Sequence, residues 1–413
     1  MPTLQSGYDA AGEVIGLVPA GGQATRLASL PCSKELLPIG KKAEADGQRA
    51  RPKVAAHYLL EKMRLAGIAK AYIVVRQGKG DIASGLVCLL EAREIDLTAM
   101  MKASVKRLIE TLLGRTSNPA APKPAQRPVF SIGIYAGRSP VELGPVSQPD
   151  QPVITRDSVT DVRARFVADP FMVKENATWH MFFEVVNRQA GKGEIGLAES
   201  QDGYRWNYRQ IVLRESFHLS YPYVFVWQGE FYMIPESYRA KSVRLYKAAE
   251  FPRQWTFVKT LLEGDDFVDP SIFYFNRRWW LFTDLDRPPF HAGILRLFHS
   301  ENLEGPWIEH PKSPVLTDSP HISRPAGRVL VLDDKIIRYS QDCAPVYGAQ
   351  VRAFEITELT TTSYRERPLG TVPVVGPTGS SWNESGMHHI DAHRLSGEQW
   401  IACVDGFHWE QPR

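Results

Sequence analysis

Beyond residue 129 the chain is written in short apolar runs, each opened by a polar or aromatic residue and shut by a polar one. Asp169-Pro170-Phe171, Tyr221-Pro222-Tyr223, Asp269-Pro270-Ser271 and Arg324-Pro325-Ala326 open four of them. Glu184, Glu236, Asp284 and Gln341 close them, the fourth run being slightly longer than the others. A fifth lacks the proline but keeps the shape, from His388-His389-Ile390-Asp391 to Asp405-Gly406. A repeat of roughly fifty residues with strand–turn–strand content predicts a five-bladed β-propeller. The alternating strand 130–135 stands apart from the first full repeat, while the last repeat, 388–407, holds only about two strands. The expectation is that 130–135 completes the last blade and closes the ring, so that no sheet edge is left unpaired.

Upstream the pattern changes. Residues 1–82 read as a small, partial α/β segment: an apolar strand at Val14–Val18, a glycine-containing loop, an amphipathic helix over about 53–66 and a second strand at Ala71–Val75. Residues 83–114 carry a helical spacing of Leu, Ile, Met and Val. Residues 115–128, mostly TSNPAAPKPAQRP, form a Pro/Ala linker that cannot hold a helix. The propeller then occupies 129–413, and the fold class is mainly β. Trp206, Trp255 and Trp307 recur after a strand and a tight turn, where they predict caps at the outer ends of blades.

In a propeller the innermost strand of each blade lines the axis. Repeat alignment therefore predicts a ring of Asp169, Tyr221, Asp269, Arg324 and His388 or His389, with Glu184, Glu236, Asp284, Gln341, Asp342 and Asp405 from the next strands. His388 and His389 are adjacent in a strand, so at most one faces the pocket. Gathering so many ionisable groups shifts their pKa values apart. Acids for proton transfer beside aromatic and basic side chains suit a sugar. An Asp-Pro opening also has a plainer reading, a turn whose carboxylate accepts nearby backbone amides.

Composition narrows the classes. A net charge of +3 on 413 residues argues against a nucleic-acid partner. No run approaches the length of a membrane span and no signal-like segment opens the chain, so neither membrane insertion nor export is expected. Cys32, Cys88, Cys343 and Cys403 have neither metal spacing nor a disulfide framework, which fits a reduced, cytoplasmic protein. Alternation keeps His388, His389, His393 and Asp391 from forming one cluster, so neither a metal nor another cofactor is expected.

Two resemblances add to this. Residues 129–407 resemble the five-bladed propeller glycosidases of the glycoside hydrolase family 43 clan. On that resemblance Asp169 in Asp-Pro-Phe is the general base and Asp269 in Asp-Pro-Ser orients the acid. The clan's fourth blade carries its general-acid glutamate in Glu-Gly-Pro, where this chain has Arg324-Pro325-Ala326. Arginine cannot donate a proton at neutral pH. Either Glu236 or one of His388 and His389 supplies it, or the pocket binds without cleaving. The stretch HLSYPYVF (218–225), Pro235-Glu236 and the third-blade Asp-Pro-Ser resemble more closely the propeller preceding the glycosyltransferase in plant glucosamine inositolphosphorylceramide transferases. That implies a carbohydrate or glycoconjugate ligand and a glycosyltransferase partner. The segment from Pro19 to Leu27 and Ser33-Lys34-Glu35-Leu36-Leu37-Pro38 are similar to the Rossmann-like sugar-1-phosphate nucleotidyltransferases. There Gly21, Gly22, Arg26 and Lys34 would meet the phosphates. Ala24 replaces a loop glycine, and the metal-binding and sugar-binding half of that family is missing, so the segment is expected to be partial.

Three functions follow. One is glycosidase-like hydrolysis or transfer, with Asp169 as base, Asp269 as orienter and Glu236 among the catalytic acids. In it Glu184, Tyr221, Asp284, Arg324, Gln341, His388, His389 and Asp405 hold the substrate. The second is a non-catalytic carbohydrate-recognition module accessory to a glycosyltransferase. The third is nucleotide-sugar synthesis by the first segment.

Overall fold

The computed structural model describes residues 127–411 except 148–149, 287–290, 333–334, 345 and 371, together with the backbone of five earlier strands. The chain divides into two compact units, Met1–Ala120 and Ala121–Arg413. In the first, Val14–Pro19 pairs in parallel with Lys70–Val74 and antiparallel with Ser6–Tyr8, and Pro38–Ala43 pairs with Ala50–Val54. The expected nucleotide contacts Gly21, Gly22, Arg26 and Lys34 lie outside the described residues, as do the helical pattern over 83–114 and most of the linker.

The second unit is a five-bladed β-propeller of four-stranded sheets. Blade one runs outward from Ala164–Glu175 through Thr178–Asn187 and Lys192–Ser200 to Asn207–Leu213. Blade two begins at Ser220–Trp227, blade three at Phe267–Phe275, and blade four at the short Leu330–Val331. Blade five is built from both ends of the unit: Gly386–Ser396, Gln399–Glu410, then Arg127–Ser139 and Glu142–Pro145. Phe130 sits opposite Phe407, and Tyr135 opposite Ala402. The strand around 130–135 thus closes the ring as its isolated alternation predicts.

Inner strands such as Phe267–Phe275 are apolar on both faces because each blade packs on two neighbours. Phe171, Tyr223, Val224 and Leu281 fill the layer joining blades one to three. Ile132, Ile134, Met181 and Ile401 fill the layer between blades five and one. The recurrent tryptophans sit at the start of each outer strand. The indole NH of Trp206 donates to Gly203 O (2.9 Å), Trp255 to Pro252 O (3.0 Å) and Trp307 to Leu303 O (3.2 Å).

One local device positions the site. The first two strands of blades one, two, three and five slip register at the opening residues, between Ala168 and Phe171, Ser220 and Tyr223, Val268 and Ser271, and Gly386 and His389. Such bulges re-aim side chains. In the first three, the opening residue takes a left-handed conformation: Asp169 at φ 54°, Tyr221 at 45° and Asp269 at 47°. For a residue with a Cβ this costs about 1 kcal/mol or more. Blade four departs from the pattern. Its opening segment touches the second strand through a bridge of Pro325 to Ser340, and Gly327 (φ 138°) passes so close to blade five that a Cβ would meet Ile390 O at 1.7 Å.

Candidate functional site

The opening and closing residues of the repeats meet around the axis, linked from blade to blade. Glu184 lies opposite Ala168, Glu236 opposite Ser220, and Asp405 opposite His389, each just ahead of or within the opening bulge. From there the acids reach sideways. Asp405 Oδ2 accepts the Asp169 amide at 2.9 Å, Asp169 Oδ2 accepts the Tyr221 amide at 3.3 Å, and Glu236 Oε2 accepts the Asp269 amide at 2.9 Å. A carboxylate of one blade therefore holds the left-handed opening residue of the next. The acids recur partly because the ring needs these stitches, which satisfy amides that would otherwise be buried without partners.

Two half-sites face each other across this ring. On one side the Arg324 guanidinium joins blades two, three and four. Its Nε donates to Asp269 Oδ2 at 2.6 Å, one terminal nitrogen lies 3.5 Å from Glu236 Oε2, and the other donates to His291 O at 2.6 Å. Gln341 donates to the same Asp269 oxygen at 2.7 Å and to Pro325 O at 2.9 Å. Ser220 donates to the remaining Glu236 oxygen at 3.0 Å. Burial raises the Asp269 carboxyl well above its usual range and Glu236 adds to this, while Arg324 opposes both. Burial alone would lower Arg324, but Asp269 and the neighbouring groups outweigh it, so the guanidinium stays charged.

On the other side His388 lies between two acids. Its Nδ1 is 2.6 Å from Asp405 Oδ1 and its Nε2 is 3.6 Å from Asp169 Oδ1. Burial lowers the imidazole, yet the Asp405 charge and hydrogen bond, with Asp169 behind them, raise it to about 9. Asp405 moves the opposite way: burial raises it, and His388 more than reverses that. Burial raises Asp169 well above the carboxylate range, with Asp405, Asp269 and Glu184 adding to it and His388 opposing.

Candidate ligand atoms of Asp169, His388 and Asp405 lie within 4.8 Å of one another. A protonated imidazole has no free lone pair, so this trio is a hydrogen-bonded charge pair unless His388 loses its proton.

Some expected ring members sit elsewhere. Tyr221 is fully buried, its hydroxyl shared among Ser271 Oγ (2.8 Å), the Gly327 amide (2.6 Å) and Gly327 O (3.1 Å). It belongs to the floor of the pocket. Arg328 reaches from blade four to Asp391 of the adjacent blade five at 2.7 Å, its guanidinium over the Tyr223 ring at 5.1 Å. His389 is likewise fully buried, edge-on to Phe171 and Tyr221, and burial lowers it to about 4. Asp284 accepts the amides of Leu285, Ile294 and Gly293, so it organises its own loop. Asp342, at the end of the second strand of blade four, pairs with His321 and Arg352.

Two further residues line the mouth. His218, its side chain 26% exposed, places Nε2 at 3.1 Å from Glu184 Oε1 and accepts the Gly193 amide on Nδ1 at 2.9 Å. Burial lowers it, while Glu184 outweighs burial and raises it. Tyr347 lies over Arg324 at 5.1 Å and edge-on to His388 at 5.5 Å, bridging the two half-sites. His218 sits in the HLSYPYVF stretch, but no repeat marks its side chain. Tyr347 lies in the loop between the second and third strands of blade four, where no periodic signal marks it.

Comparison with known proteins identifies a family. The family "Glucosamine inositolphosphorylceramide transferase 1, N-terminal" matches residues 123–407. The chain belongs to this family. Glucosamine inositolphosphorylceramide transferase 1 of Oryza sativa subsp. japonica is 34% identical over 296 residues, covering 67% of this chain and 40% of the rice protein. Its Arabidopsis thaliana counterpart is also 34% identical, over 39% of its own length. The chain thus spans about two fifths of the length of these relatives. Among solved structures, the catalytic domain of the Coprinopsis cinerea GH62 α-L-arabinofuranosidase is 14% identical with a TM-score of 0.47, covering 62% of this chain and 95% of that one. Among the described residues no helix is long and apolar enough to cross a membrane.

Proposed function

We propose that the axial pocket binds a sugar of a glycan or glycoconjugate without cleaving it, as the carbohydrate-holding domain of a glycosyl-transferring protein. The observation that carries this reading is Arg324, whose guanidinium contacts Asp269 and Glu236 together. A glycosidase needs one carboxyl free to protonate the leaving group and another to attack or activate water. Here both carboxylates on that side are tied to a cation that never releases a proton. What is left is a polar, half-closed cup of Asp169, Glu184, His218, Arg324 and Tyr347. Its fixed donors and acceptors suit hydroxyl groups, and Tyr347 offers a ring face. The names of the family's plant members point to a glycolipid acceptor and a glycosyltransferase working alongside.

A screen of the full chain against immobilised glycans tests this. Wild type should retain a subset of sugars, with Arg324→Ala and Asp169→Asn each weakening retention. Sugar retention unchanged in both variants would remove the pocket from consideration.

One observation favours the hydrolytic reading. His388, protonated at neutral pH, lies 3.6 Å from Asp169, a proton source beside the more accessible carboxyl. Release of free sugar by wild type, abolished in both Asp169→Asn and His388→Phe, would establish that chemistry instead.

A further inference from the structure

Away from the axis, blades one and five part to form a groove of about 960 Å³. Its walls carry Arg127, Arg156, Arg163, Arg165 and Arg188 against only two acids, Asp157 and Glu410. Arg156 is already engaged, its two terminal nitrogens donating to Glu410 at 2.7 and 3.0 Å. Several other arginines of the propeller also close onto acids: Arg209 on Glu199, Arg278 on Glu301, Arg296 on Glu309 and Arg367 on Glu355. In the groove, Arg127, Arg163 and Arg188 have no acidic partner among the described residues, and Arg165 has only the Phe166 ring at 5.9 Å.

The backbone makes this crowding deliberate. Arg188 N–H donates to Arg163 O at 2.9 Å, which holds these two residues side by side. Both side chains line the groove, so like charges share one rim that an anion would neutralise.

We propose that this groove is a second ligand site, separate from the axial pocket, that takes a phosphate ester. A phosphate presents several acceptor oxygens and up to two charges, enough for two or three guanidinium forks at once, whereas a carboxylate fills a single fork. The volume is that of a small-molecule site. One apolar wall divides the two sites: Val129 lines the groove, and the next residue, Phe130, packs on His388 at 4.7 Å and on Phe166 and Phe407. The ester could belong to a phosphorylated sugar or to a lipid headgroup, and these sources can be told apart.

The test uses the full chain and the double variant R163E/R188E, both residues being exposed, with circular dichroism to verify folding. Calorimetry is run with glucose 6-phosphate and with inorganic phosphate. Sedimentation is run with phosphatidylcholine vesicles with and without phosphatidic acid. Binding of glucose 6-phosphate by wild type, weakened at least about tenfold in R163E/R188E and unchanged in D169N, assigns the groove to phosphorylated sugars. Vesicle binding that needs phosphatidic acid and is lost in the double variant assigns it to a lipid headgroup. Binding of inorganic phosphate alone, equal binding by wild type and variant, or no binding by wild type with any probe overturns the proposal. Because D169N spares the groove, failure here is distinct from failure of the axial pocket.

Discussion

The two sides of the axial pocket solve one problem with different cations. Beside blade five, buried acids are balanced by an imidazole that can lose its proton. Between blades two and four they are balanced by a guanidinium that cannot. The first side, with Asp169, His388 and Asp405, is therefore sensitive to pH. The second, with Asp269, Glu236 and Arg324, keeps a cation whose charge does not change with pH and which acts as a strut. The repeat supplies acids to both sides alike; the residue that faces them decides whether the chemistry is switchable.

The strongest way to break this contrast is to remove the strut. Arg324→Met leaves two buried carboxyls without their cation and should lower stability by about 3–5 kcal/mol. Urea denaturation near neutral pH measures the loss. A loss under about 1 kcal/mol would mean that Asp269 and Glu236 are already neutral or solvated.

Titration sharpens the contrast on the other side. His388 is raised from 6.5 to about 9, so its contribution to stability is fully present below 6.5 and disappears as pH rises through about 9. Wild type should lose stability across that window, and His388→Phe should show a flatter profile there. Asp405, depressed by the same pair, contributes above its ordinary value and loses that contribution as pH falls. A wild-type stability curve flat from neutrality to pH 10 would contradict the paired arrangement.

Smaller effects come from the rim. Gly193→Ala would bring a Cβ to 2.2 Å from Leu219 O and 2.7 Å from Glu184 Oε1. It should cost about 1–3 kcal/mol by overpacking and dislodge His218, visible as a displaced imidazole resonance in NMR. Tyr347→Ala removes a ring from above Arg324 and should cost only about 0.5–1 kcal/mol. Its larger signature should be weaker retention of sugar, since Tyr347 spans both half-sites.

The ring itself was legible because a propeller repeats its polar punctuation. Asp169, Asp269, Glu236 and Asp405 were found through their spacing, and the isolated strand near residue 130 announced the closure. Less legible was the direction of each side chain. Tyr221 shares its repeat position and left-handed backbone with Asp169 and Asp269, yet its longer side chain reaches the floor and bonds to Gly327. Asp284 occupies a position equivalent to Glu184 and Glu236, but its shorter side chain is captured by amides of its own loop. His218 and Tyr347 lie in loops, which carry no period. The arginine groove gathers residues distant in sequence, so only folding puts them on one surface.

The closing strand also sets an order of events. Arg127–Ser139 leaves the ribosome before any complete blade, and its partner Gln399–Glu410 is the last strand of the propeller to follow. Throughout synthesis the fifth blade is half absent, with bare hydrogen-bonding edges on both sides of the gap. Removing the final strand should therefore not merely shorten the molecule; it should release the earliest one as well and leave four sheets curled around an open seam.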